Sequence, residues 1–272
     1  MGEFTRVRPP AVAGSFYPSG AKVLHTMVDR LLDGVADPAP VPKAVIAPHA
    51  GYVYSGSTAA LAYAALRAAA DTVEHVVIVG PTHRVGIPAI ALPDADALAT
   101  PLGDVPVWRE GVERALALPS VVVSAAVHAQ EHSLEVQLPF LQRVLPDADV
   151  VALAAGWVEP ETVAEVLDAL WGGPETLIVI SSDLSHYHPY AEARRIDQAT
   201  IASILAGKAI DHDRACGATG VDGLLLAAPR HGLAPRLLGA CNSGDTAGDK
   251  SRVVGYAAFG FYAAAAPAGQ AV

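Results

Sequence analysis

The chain has 272 residues, 52% of them apolar and 17% charged, a balance that excludes intrinsic disorder, which needs low hydrophobicity and high charge. Lys and Arg number 18 against 28 Asp and Glu, a net charge of −10 with no basic tract, so neither nucleic-acid phosphates nor anionic membrane surfaces are expected partners. Two cysteines, Cys216 and Cys241, are too few for a disulfide framework, and the N-terminal segment lacks the apolar stretch of a signal peptide. The expectation is a reduced, cytoplasmic protein.

Taken in chain order, short Val/Ile runs alternate with longer Ala/Leu-rich amphipathic segments. A helix over 23–32 precedes a strand at 43–47, then a helix over 57–70 and a strand at 75–80. A short strand at 89–92 and a helix over 108–118 follow. Residues 133–145 carry Leu134, Leu138, Leu141 and Leu145 on one helical stripe. The strand at 150–154 leads to a helix over 161–171 with Pro160 at its start. A strand at 177–181, helices over 191–205 and 221–228, and strands at 236–240 and 253–261 complete the chain. This order predicts an α/β fold, a three-layer α/β/α sandwich with a mostly parallel central sheet. The Pro-rich segment 37–42 is too short to divide domains, so one domain over 1–272 is expected. No residue from Val253 onward is charged. Gly255, Gly260, Pro267 and Gly269 break that stretch, so it reads as a buried strand and a loose tail at 263–272, not a membrane span.

In parallel α/β sheets, ligands bind beyond the carboxyl ends of the strands. Here the strand ends run into His49, His83, the segment Asp183-Leu184-Ser185-His186, and the segment from Cys241 to Asp245. Neutral imidazole is a common metal ligand, and two His with one carboxylate suit Fe(II) and oxygen chemistry. A second cluster, His128-Ala129-Gln130-Glu131-His132, matches the H-x-x-E-H pattern of inverted zinc peptidases. That reading would make Glu131 a general base on a helix. The segment before it reads as strand and loop, which leaves Glu131 and Glu135 as helix-start residues instead. No G-x-S-x-G, G-x-G-x-x-G or P-loop pattern occurs.

Several longer segments carry a resemblance. They are the run from Arg8 to Pro18, Ala47-Pro48-His49-Ala50-Gly51-Tyr52 with Tyr54-Ser55-Gly56, Gly80-Pro81-Thr82-His83 and Glu131-His132-Ser133-Leu134-Glu135. Ser181-Ser182-Asp183-Leu184-Ser185-His186, Ala215-Cys216-Gly217 and Val254-Gly255-Tyr256-Ala257-Ala258 complete the set. In this order they resemble the MEMO family, whose bacterial members carry the name AmmeMemoRadiSam system protein B. The family is similar in fold to the class III extradiol (LigB-like) dioxygenases.

The resemblance implies that His49 and His83 bind a divalent metal, Fe(II) ahead of Zn or Cu, with a third ligand from the late loop. Some members carry a cysteine there. This chain has Thr246 at that position, so Asp245 is the expected third ligand, with Cys241 as the alternative. The resemblance also implies that Asp183, His186 and His132 line the cleft, with His186 moving protons. Tyr52 and Tyr54 are candidates for its substrate wall, as are Phe16, Tyr17 and Trp157. The expected function is a dioxygenase-like oxidoreductase acting on a small molecule or peptide. The alternatives are a non-catalytic module binding a peptide or the protein partners of a radical-SAM system, and a zinc hydrolase using His128, Glu131 and His132.

Overall fold

The structure is a computed structural model and describes residues 4–36 and 40–264. Its elements begin with β1 (Val7–Arg8), α1 (Ala21–Asp33), β2 (Ala44–Ala47), α2 (Tyr52–Ala64) and β3 (His75–Pro81). Next come β4 (Ile90–Leu92), β5 (Ala97–Thr100), β6 (Gly103–Pro106), α3 (Arg109–Leu116), β7 (Val121–Val123), α4 (Ala125–His128) and α5 (Leu138–Val144). The second half holds β8 (Asp149–Ala155), α6 (Pro160–Ala169), β9 (Thr176–Ser181), β10 (His186–His188) and α7 (Tyr190–Leu205). It ends with α8 (Ala218–Ala227), β11 (Leu233–Asn242), α9 (Ser243–Thr246) and β12 (Val253–Ala263).

Nine strands form one sheet in the order β10-β12-β2-β9-β3-β8-β4-β7, with β11 also paired to β12. The centre, β2-β9-β3-β8, is parallel. Its strands are continuous apolar runs because both faces are covered. Side chains alternate across the sheet. Val45, Val76, Ile78, Val150, Leu177 and Val179 pack into one core with α1, α2 and α5. Their neighbours Ile46, Val77, Val79, Val151, Ile178 and Ile180 pack into the other with α3, α6, α7 and α8. This is the expected three-layer sandwich.

Each flank joins the centre through an antiparallel pair. Strand β12 runs against β2, and β11 against β12. Only residues 243–252 join β11 to β12, too few for the crossover that a parallel pair requires. Two reversals restore direction, so β11 runs the same way as β2, one strand farther out. A separate small sheet, β1-β5-β6, holds the N-terminal segment. Among the described residues, no helix is long and apolar enough to cross a membrane. The expected tail lies outside the described residues from 265 onward, and so do residues 37–39 of the Pro-rich segment.

Two helices differ from their sequence patterns. The second starts at Tyr52 rather than 57 and stops at Ala64, before a short 3-10 turn at Arg67–Ala69. The stripe over 133–145 becomes a turn, a 3-10 segment at Glu135–Gln137 and then α5, which has Pro139 in its first turn. Proline has no N–H to give, so it fits a helix start and not an interior.

That irregular segment grips the N-terminus. Glu135 is buried and accepts hydrogen bonds from the Ala11 amide (2.8 Å), the Val12 amide (3.0 Å) and the Tyr17 hydroxyl (2.6 Å). It also pairs with Arg8. Burial and the bond to Glu135 push the Tyr17 phenol above its usual pKa. Arg8 spends its remaining donors on the backbone carbonyls of His128 and Glu131. The residues from Arg8 to Tyr17 thus form a strap across the loop that carries His132. Removing one partner of a buried pair strands the other charge and costs about 3–5 kcal/mol. Glu135→Ala is therefore expected to lower unfolding stability by about that amount in urea titrations. Breaking the exposed Arg114–Glu110 pair should change little by the same measurement.

Candidate metal centre and cleft

The parallel strands deliver their polar ends to one edge. His49 follows β2, His83 follows β3, and the run from Ser182 to His186 follows β9. His132 arrives from the loop between α4 and the 3-10 turn. One ligand atom each of His49, His83 and His132 lie within 4.8 Å of one another. The ring centroids are 5.2 Å apart for His49 and His83, 5.5 Å for His49 and His132, and 4.5 Å for His83 and His132.

Hydrogen bonds fix which nitrogen of His49 carries the proton. The Ser181 hydroxyl donates its single proton to the Ser133 carbonyl (2.6 Å) and accepts from Gln137 Nε2 (2.8 Å). Gln137 is held that way round because its Oε1 accepts from the Tyr63 hydroxyl (2.7 Å). Ser181 can therefore only accept from His49 Nδ1, 2.8 Å away. The His49 proton sits on Nδ1, and the Nε2 lone pair faces the Cys216 thiol, 3.2 Å away.

Glu131 does the same for the His83 ring and holds the backbone of His132. It is 2% exposed, yet its carboxylate accepts from the His83 amide (2.5 Å), His83 Nδ1 (2.9 Å), the His132 amide (2.8 Å) and the Ser133 amide (2.9 Å). Burial works to raise its pKa, but these donors, led by the His83 side chain, win and hold it at about 2. With Nδ1 donating to Glu131, the neutral His83 ring carries its lone pair on Nε2. His132 Nδ1 is buried without any hydrogen-bond partner, an orphaned nitrogen of the kind a metal ion would satisfy. Burial, reinforced by the neighbouring imidazoles, lowers the pKa of His49 and brings His132 to about 4. Neutral imidazole is the form that binds metal, so this donor set fits a divalent ion.

The cluster stands in a cleft of about 890 Å³. Asp183 and His186 line it with Phe16, Tyr54, Tyr187 and Cys216. Asp183 is buried and accepts from the His49 amide (2.8 Å). Burial outweighs that bond and pushes its carboxyl up to about 7. Burial lowers the His186 pKa, which keeps that ring neutral. Tyr187 sits at φ 63°, the one non-glycine residue with positive φ among the described residues. This left-handed twist breaks strand alternation next to His186 and places the Tyr187 ring at the cleft, 5.1 Å from the Arg252 guanidinium. Phe16, presented by the strap, lies 4.6 Å from the His132 ring.

Other expected residues lie elsewhere. Asp245 closes the capping box of α9 with Asn242 and accepts from the Tyr190 hydroxyl at 2.6 Å. Cys241 meets Thr58 Oγ1 at 3.0 Å. Both line a separate cavity with Tyr190, because β12 stands between β11 and the strand of His49. His132 completes the cluster in their place. His128 is also apart: helix α4 ends at this residue, and its buried Nε2 lies 2.9 Å from the Ala91 carbonyl. It shares no helical face with His132, so the H-x-x-E-H zinc pattern has no structural counterpart. Tyr52 is buried, with its hydroxyl donating to the Val136 carbonyl. Tyr17 is buried at the end of the strap, bound to Glu135, and Trp157 lines a neighbouring cavity.

Two contributors have roles other than those the sequence suggests. Cys216 Sγ lies 3.2 Å from His49 Nε2. The only sequence signal was its place in the Ala215-Cys216-Gly217 segment. Glu131 carries the orientation of two histidines, a role its match to a peptidase pattern concealed.

Residues that orient metal ligands are typically worth 10–100-fold in affinity. Glu131→Gln is expected to weaken Zn(II) or anaerobic Fe(II) binding by about that factor in calorimetric titration. His128→Gln should leave the affinity unchanged. Burial lowers His128 to about 4, so below its unfolded value of about 6.5 the unfolded chain takes up a proton that the folded chain refuses. Stability therefore falls as pH drops from about 6.5 to 4. His128→Gln is expected to flatten this slope in pH-dependent urea unfolding.

The sequence matches known proteins over most of its length. The family model described as Memo-like protein covers residues 8–260. A MEMO1 family protein of Aquifex aeolicus is 37% identical over 92% of this chain and 97% of its own length. One from Archaeoglobus fulgidus is 35% identical over 94% and 99%, and one from Methanosarcina mazei 37% over 93% and 98%. From the strap to the last strand, the chain belongs to the Memo-like protein family.

Proposed function

We propose that this protein is a metal-dependent enzyme whose single divalent ion is held by His49, His83 and His132. The ion is Fe(II) and the chemistry is oxidative, of the dioxygenase-like kind. The observation that carries the reading is the three-imidazole cluster, two of its rings already held by hydrogen bonds at Nδ1, in one cleft with Asp183 and His186. Three protein ligands leave coordination positions open. When bound, the metal supplies Lewis acidity and a place for substrate and a second reactant side by side.

The chain's own residues supply the rest. The Asp183 carboxyl, at about 7, can hold or release a proton near neutral pH, where a general acid or base works best. The His186 ring, kept neutral by burial, can take a proton on a free ring nitrogen. Phe16, Tyr54 and Tyr187 give the cleft aromatic walls that orient a flat substrate and displace water. A small molecule is favoured over a peptide or a radical-SAM system partner because Asp183 is buried, out of reach of a docking surface.

Anaerobic titration with Fe(II) should give one site per chain. His49→Ala and His132→Ala are expected to weaken it at least about 10-fold, the low end for loss of a metal-site group. Asp245→Ala and Cys241→Ala should bind as the parent does. Unchanged binding in a His49/His83/His132 triple alanine variant would overturn the reading. Asp183→Asn should bind Fe(II) normally yet lose about 10²–10⁴-fold in turnover, measured as oxygen uptake with a panel of aromatic diols.

A further inference from the structure

A second cavity of about 460 Å³ adjoins the cleft. Cys216 and His212 line both spaces. Since Cys216 Sγ is 3.2 Å from His49 Nε2, one side chain separates the second cavity from the histidine cluster. Its inner wall is the first turn of α8, and its outer wall includes Thr82 and Trp157.

Helix α8 is ten residues long, with no side-chain cap and no acidic residue in its first turn. The Gly217 amide is taken by Ser182 Oγ (3.1 Å) and the Ala218 amide by the Ala215 carbonyl (3.2 Å). The next two amides, of Thr219 and Gly220, have no acceptor among the described residues. A second observation points the same way. Thr219 is 9% exposed and lines the cavity, yet its hydroxyl has no partner among the described residues. The oxygen is not sealed from solvent, so it is open to a ligand that enters the cavity. The free donors of a helix start, together with its dipole, favour an anion there. Glu159, the one carboxylate lining the cavity, is exposed, where solvent and salt screen its repulsion.

We propose that this annex is an oxyanion subsite of the cleft. It holds a carboxylate or phosphate group of the substrate on Thr219 Oγ1 and the Thr219 and Gly220 amides, while the rest of the molecule reaches past Cys216 to the histidines. The substrate is then an anionic small molecule. The role of the annex as a substrate subsite rests on the metal-site reading above, but its anion affinity does not, so it is measured on metal-free protein.

The full chain, freed of metal with a chelator, is titrated with inorganic phosphate and separately with acetate. The readouts are tryptophan fluorescence and the Gly220 amide resonance. Saturable binding of at least one anion is expected. Thr219→Val should weaken it about tenfold or more, the scale of a hydrogen bond to a charged group, while Thr219→Ser should stay within about twofold. Thermal unfolding of both variants checks that the fold is intact. Binding of phosphate alone assigns a phosphate-bearing substrate, and binding of acetate alone assigns a carboxylate. No saturable binding of either, or parental affinity in a folded Thr219→Val, would overturn the proposal. Anion binding that persists while Fe(II) binding fails would sink the metal reading alone.

Discussion

A buried carboxylate that stays ionised organises this molecule. Glu131 is withdrawn from water, which by itself would drive it to the neutral acid, and four N–H donors from His83, His132 and Ser133 reverse the outcome. The bargain works in both directions. The donors keep the charge, and the charge fixes the donors. His83 cannot turn its ring without breaking a charge-assisted bond, and the backbone at 131–133 folds around the carboxylate instead of continuing the α4 helix. The strap depends on that turn, since Arg8 binds the carbonyls of His128 and Glu131. Four residues on, Glu135 repeats the device with donors from the N-terminal segment. Two acidic residues in one short motif thus tie the N-terminus, the histidines and the edge of the sheet into a single arrangement.

The fold was legible because its cause is local. Runs such as Val76–Val79 and Leu177–Ile180 are apolar at every position, which only a doubly covered strand tolerates. The amphipathic segments between them have the length of crossover helices. His49, His83 and Asp183 were legible for the same reason: a polar residue straight after such a run lies at the carboxyl edge, wherever the strand falls in the sheet. The antiparallel flank was less legible. Its strands look like the central ones in composition, and only the shortness of the 243–252 connection reveals the reversal.

The third member of the histidine cluster was legible only in part. His132 follows no strand, and the resemblance placed it in the cleft without making it a ligand. Its position depends on Glu131 meeting His83, a contact between residues 48 apart, which no local pattern encodes. Asp245 satisfied the local rule and still lay elsewhere. The rule gives the edge and not the distance along it, and β12 displaces the late loop sideways. The same blindness hid Cys216, whose closeness to His49 spans 167 residues.

Glu131 and Asp183 are buried carboxylates on two sides of one cluster, and their environments drive them apart. Glu131, with four donors, falls to about 2, while Asp183 rises to about 7 despite the His49 amide. Burial acts on both, so the difference lies in the number of donors each is given. A carboxylate at about 2 exchanges no proton at neutral pH and can only hold its neighbours in place. One at about 7 is divided between its two forms and can act on whatever enters the cleft. Separated acidities in one pocket are how a site assigns different tasks to chemically identical groups. Here the fixed charge lies behind the imidazoles and the movable proton beside the open space. Exchanging those positions would leave His83 without a firm anchor and the cleft without a group able to change its charge.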